Sequence, residues 1–187
     1  MSQLLVLALL PIVLALAARW WFGVRVLDGD GGRACRCDLA RWLPAPDDTA
    51  VVHRAEESAG EFGRQLRLKA LAEWHAEDPK AAAARESTRR FGGAVPPLSG
   101  IVAVFAVLVG KIPLMGAVVV LLGAIALSAA FDLLSLPSEL GAIARNARKV
   151  RDDKNFPNRD DEESVIRCAI AHAWHASLPP ILRWVQR

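Results

Sequence analysis

Hydrophobic and polar positions are segregated along this chain rather than interleaved. Residues 4–18 are apolar and uncharged, interrupted only by Pro11, and the run continues past Arg19 through Trp20, Trp21 and Phe22 to Val24. A second run, residues 95–136, contains only two charged residues, Lys111 and Asp132. As one helix it would extend ~63 Å at about 1.5 Å per residue, about twice the ~30 Å hydrocarbon core of a bilayer. It must therefore fold back on itself. The break falls in residues 109–116, where Gly110, Lys111 and Pro113 cluster. The pattern predicts a single span followed by a two-helix transmembrane hairpin.

The polar stretches read as helix and loop. Residues 28–38 (DGDGGRACRCD) carry loop residues. Residues 45–78 predict a helix broken near Gly60 and Gly63, with Asp47 or Asp48 as its N-cap. Asp78 followed by Pro79 predicts an N-cap and a first helical position. After Val150 a loop over 151–160 leads into a helix whose first turn is acidic, as the helix dipole favours, and which ends or kinks at Pro179 and Pro180. Arg167, His172 and His175 interrupt its apolar surface, which suits an interfacial or bundle-packed helix better than a fourth span. Period-two alternation is absent, so no substantial sheet is expected. The fold class is an all-α membrane protein with cytoplasmic amphipathic helices. Its segments are an anchor (1–25), a cytoplasmic helical segment (26–94), the hairpin (95–136) and a cytoplasmic or interfacial tail (137–187).

Composition agrees with this division. The chain is 53% hydrophobic yet 23% charged, as an integral membrane protein with polar segments would be. A net charge of +3, without a basic stripe interleaved with aromatics, argues against nucleic acid as a partner. The leader before the first run is uncharged and the cations follow it, at Arg19 and Arg25, which indicates an uncleaved anchor rather than a secretory signal. Arg85, Arg89 and Arg90 precede the hairpin, and Arg145, Arg148, Lys149 and Arg151 follow it. The positive-inside rule then places these clusters and the C-terminus in the cytoplasm, and the N-terminus and Lys111 outside. The expected location is a bacterial inner membrane. The odd cysteine count, with Cys35 and Cys37 one residue apart and Cys168 distant, is not a disulfide framework. Asp132, four residues from the end of the second run, reads as exposed at the cytoplasmic interface.

Directly after the hairpin stands Leu136-Pro137-Ser138-Glu139. Taken with the span, the polar helical segment, the hairpin and the closing helix with its acidic start, residues 75–178 resemble the membrane-bound neutral zinc metallopeptidases. In that family an HEAGH motif precedes the hairpin and an L-P-x-E motif follows it. The resemblance implies that Glu139 stands where the family's glutamate completes a zinc site. Such chemistry needs two histidines one helical turn apart, a glutamate beside the first as general base, and a third protein ligand. Here the corresponding slot falls on Arg67, Leu68, Lys69, Ala70 and Leu71, two of them cations, and HExxH occurs nowhere in the chain.

The resemblance therefore implies an inactive member of the family with no catalytic residue, no cofactor and no metal. Glu139 would remain as a relic at a helix N-terminal position, where a carboxylate is favourable. Without chemistry, binding remains, and the expected role is an accessory or structural subunit of a larger membrane complex, held in the lipid bilayer beside a membrane-protein partner. The rival reading is an active zinc-dependent metallohydrolase with a rearranged site, in which Glu139 joins His172 and His175, two imidazoles at i and i+3. A third is a lipid-surface module using the basic clusters beside the membrane. Gly116 and Gly123, with Ser128 and the alanines at 117 and 124, form a smooth strip on the second hairpin arm. That strip suits either an external partner helix or the first arm of the hairpin itself.

Overall fold

The structure, a computed structural model, describes residues 2–38, 42 and 55–177. It is mostly helical, in the order α1 (Ser2–Arg19), a π-helical turn (Trp20–Val24), α2 (Arg25–Asp30), β1 (Ala34–Arg36), β2 (Glu56–Ser58), α3 (Ala59–Glu77), α4 (Pro79–Leu108), α5 (Leu114–Asp152) and α6 (Arg159–Ala176). Three helical stretches, Leu9–Asp30, Pro79–Leu108 and Leu114–Asp152, are long and apolar enough to cross a membrane. Contacts divide the chain into two compact units. One holds α1 with Lys80–Pro137, and the other holds Trp20–Pro79 with Ser138–Ala176.

In the first unit, Ile12 and Ala15 of α1 bury against Ile125, Ala126 and Ala129 of α5, flanked by Leu16, Leu121, Leu122 and Leu133. The outward residues of α4 and α5, among them Leu98, Val102, Phe105, Leu114 and Leu134, are large, apolar and exposed. That arrangement suits helices solvated by lipid chains. The connection between α4 and α5 is a tight turn at the expected place. Gly110 adopts φ +70, a left-handed conformation that glycine enters without steric cost. Both helices run further than the sequence suggests. α4 passes through Pro96 and Pro97, and α5 passes through Pro137. A proline removes one helical hydrogen bond without obliging the helix to end where neighbouring packing holds it, and Pro96 is fully buried.

The second unit is built on α3 against α6. Gly63 makes this contact possible, because a Cβ there would meet Cys168 Cβ at 2.6 Å and Ala169 N at 2.7 Å. Around it Phe62, Leu66, Val165, Cys168 and Ala169 are buried. Trp42, Phe62 and Phe156 form a triangle of edge-to-face rings with centroids 5.1 to 5.6 Å apart, the geometry that ring quadrupoles favour. Ser58 caps α3, its hydroxyl accepting from Glu61 N at 3.2 Å.

Several expectations are corrected. Residues 28–38 are not all loop: they include the end of α2 and the strand β1, which pairs antiparallel with β2 (Ala34 with Ser58, Cys35 with Glu57). The helix of this region starts at Ala59, and Gly60 and Gly63 lie inside it rather than breaking it. Gly63 serves as the crossing point with α6. The cap expected at Asp47 or Asp48, and the ending at Pro179 and Pro180, lie outside the described residues.

Candidate functional site

Glu139 is not at a helix start. It lies well inside α5, where the helix dipole has no leverage, and it is 1% exposed. A lone buried carboxylate costs several kcal/mol of lost hydration, so a cation must meet it. That cation is Arg67, on α3. Its Nε donates to Glu139 Oε1 at 2.7 Å, and its Nη2 lies 2.6 Å from the same oxygen. The Arg67 side chain is itself only 14% exposed, which places the pair in a low-dielectric seam between α3 and the later part of α5.

Around this pair the same two helices carry further ion pairs. Lys149 Nζ is 2.6 Å from Glu73 Oε2, Lys69 Nζ is 3.8 Å from Glu73 Oε1, and Arg145 Nη2 is 3.8 Å from Glu77 Oε2. Arg151 meets Glu162 of α6 at 2.9 Å. Much of the basic cluster after the hairpin thus already faces carboxylates of its own unit, which weakens the lipid-surface reading.

The first unit has its own buried charge. Arg85 Nη1 donates to the backbone oxygen of Asp132 at 3.0 Å and to the hydroxyl of Ser135, and lies 4.0 Å from Asp132 Oδ1. Asp132 is buried rather than exposed as the sequence suggested. Gly92 leaves the room for it, since a Cβ there would stand 3.3 Å from Asp132 Oδ2.

The rearranged site of Glu139, His172 and His175 is not assembled. Glu139 is engaged by Arg67, and His172 Nε2 meets the backbone oxygen of Gly60 at 2.9 Å. Burial, opposed by this hydrogen bond, holds the His172 pKa below its ordinary value. In the neutral ring Nε2 then carries the proton and donates it to the carbonyl. His175 sits in the last turn of α6, its backbone against Gly23. Among the described residues no three His, Cys, Asp or Glu side chains stand where they would hold a metal ion.

The three thiols are buried and form no disulfide. Burial pushes each of them, Cys35, Cys37 and Cys168, up to about 11. Such thiols are poor metal ligands and poor nucleophiles at neutral pH.

The small-residue strip of α5 divides in two. Ala117, Ala124 and Ser128 are buried within the first unit, Ser128 Oγ donating to Ala124 O at 2.9 Å. A Cβ on Gly116 would lie nearest Pro113 and Ile112 of its own turn, and one on Gly123 would meet nothing within 4 Å among the described residues.

Sequence reasoning missed the role of Arg67. In the sequence Arg67 read only as a residue unfit for zinc, because nothing local links it to a carboxylate 72 positions away. Comparison with protein-family models, curated proteins and solved structures finds no match to this chain.

Proposed function

We propose that this chain is a catalytically inactive, metallopeptidase-like integral membrane protein that serves as an accessory or structural subunit of a larger membrane complex. In this reading it sits in a bacterial inner membrane with its N-terminus outside and its C-terminus in the cytoplasm. The observation that carries the reading is the Arg67–Glu139 pair. In the resembled family the first residue of the HExxH slot and the glutamate after the hairpin are both zinc ligands. In this chain those two positions hold a cation and an anion that neutralise each other. A guanidinium balances the buried carboxylate as a metal would, but it cannot polarise a carbonyl or lower the pKa of a bound water, because it has no open coordination position. The fold is thereby kept while the chemistry is given up.

Two measurements test this. Arg67 and Leu71 are four residues apart on α3 and share a face. The double substitution R67H/L71H frees Glu139 and supplies two imidazoles, so it should gain tight zinc binding that the wild type lacks. A variant that folds but binds no zinc would detach Glu139 from any metal ancestry. For the accessory role, the full chain extracted in mild detergent should co-purify with a stoichiometric membrane partner. Recovery as a lone, monodisperse protein would count against it.

A further inference from the structure

The turn that follows α1 is π-helical, Trp20–Val24, and leads directly into α2. Such turns are rare and concentrate at functional positions. Two contacts pin it to α6. A Cβ on Gly23 would come within 3.2 Å of His175 N, so only glycine allows this approach without a shift, and Phe22 stacks on Trp174 with centroids 5.1 Å apart. Held in this way, the turn leaves Trp20 and Trp21 each 52% exposed. The guanidinium of Arg25 lies over the Trp21 ring, 4.4 Å from its centroid, and makes no ion pair among the described residues. Beside it opens a cleft of about 360 Å³ lined by Trp21, Phe22, Arg25 and Asp30. The Asp30 carboxylate is 37% exposed and lies 3.7 Å from Arg167.

We infer that this cleft seats the headgroup of a zwitterionic phospholipid, with its phosphodiester on Arg25 and its ammonium at Asp30. Charge complementarity selects this ligand. The cleft presents the Arg25 guanidinium and the Asp30 carboxylate. Arg167 meets that carboxylate on one oxygen at 3.7 Å while Asp30 stays 37% exposed, so an ammonium can still be accepted there. An anionic headgroup lacks that ammonium, and a cationic one meets the repulsion of Arg25. A guanidinium matches a phosphodiester with paired donors, and stacking on Trp21 orients the fork before the ligand arrives. Position selects a lipid over a soluble phosphate ester. The cleft residues follow the apolar run of residues 4–18 within a few positions in sequence, and exposed tryptophans are the residues that settle at the boundary between hydrocarbon and water. The inference goes beyond the proposed function and stands without it, since it needs only that α1 enters a bilayer.

Native mass spectrometry of the full chain, released from detergent with equal amounts of phosphatidylethanolamine, phosphatidylglycerol and diacylglycerol, tests it. The wild type should retain phosphatidylethanolamine above both others. Arg25→Gln should lower that retention roughly tenfold, towards the diacylglycerol level. Asp30→Asn should abolish the preference over phosphatidylglycerol. Arg25→Lys keeps the charge but not the stacked fork, so it should fall between wild type and Arg25→Gln. Equal or stronger retention of phosphatidylglycerol by the wild type would overturn the inference. Undiminished retention of phosphatidylethanolamine by Arg25→Gln would do the same, and should Arg25→Gln not fold, undiminished retention by Arg25→Lys would do so in its place.

Discussion

Arg67 on α3 and Glu139 on α5 stand 72 residues apart in sequence and meet through two guanidinium nitrogens on one carboxylate oxygen, at 2.7 and 2.6 Å. The carboxylate is almost wholly withdrawn from solvent, so the two charges depend on each other. Removing one partner strands the other. Arg67→Met should destabilise the protein by about 3–5 kcal/mol, whereas Glu139→Leu, which leaves the more exposed Arg67 behind, should cost less. The double variant R67M/E139L should recover most of the loss, because well-packed apolar residues replace buried ion pairs at little net cost. Denaturant unfolding in mild detergent measures all three, and a double variant no better than Arg67→Met would mean that the pair does not act as a unit.

Glycines on two helices should respond in opposite directions. Gly63→Ala forces a Cβ into Cys168 and Ala169, and should cost about 1–3 kcal/mol through displacement of α6. Gly123→Ala meets nothing within 4 Å among the described residues and should be neutral or stabilising by up to about 1 kcal/mol through helix propensity. Thermal unfolding of the two variants side by side is the check.

How far the sequence could be read depended on whether a feature is local. The hairpin turn was legible, because Gly110, Lys111 and Pro113 break an apolar run too long for one crossing, and α4 ends at Leu108 with α5 starting at Leu114. Helix ends were less so, since Pro96, Pro97 and Pro137 mark boundaries by local rules that packing overrides. The second unit was not legible as a unit. It joins Trp20–Pro79 to Ser138–Ala176 across the whole hairpin, and neither periodicity nor composition reports such pairing. For the same reason Arg67 could be placed in the slot of a zinc ligand without revealing that it binds Glu139.

The proposed partner surface has a specific test at Gly123, which faces open space among the described residues, while Ala124 and Ser128 are already buried. Gly123→Leu should insert and fold as the wild type does, yet lose its stoichiometric partner on co-purification. Retention of the partner would place the docking surface elsewhere.

His172 should make stability fall in mild acid. Its folded pKa lies below the ordinary value, chiefly because burial disfavours the imidazolium. In the unfolded chain it takes up a proton near pH ~6.5, so below that pH the unfolded state binds more protons and stability is lost as pH falls. The denaturation midpoint should therefore drop between pH 7.5 and 5.5, and His172→Gln should flatten that slope. An unchanged slope in the variant would assign it to other groups.

The three cysteines should resist alkylation at pH 7.5 in the native protein, since each thiol is buried and pushed up to about 11. Mass spectrometry after maleimide treatment should show modification only once the chain is unfolded. Rapid native labelling of Cys35 or Cys37 would mean that β1 opens readily.

In the proposed function the Arg67 guanidinium stands in the place of a metal, and elemental analysis of the gently purified wild-type protein tests that proposal most directly. The expected result is no stoichiometric zinc, in material never exposed to chelator and again after incubation with excess zinc and desalting. About one zinc per chain, held through desalting, would contradict it, because a tetrahedral zinc site needs ligands that this arrangement leaves engaged elsewhere.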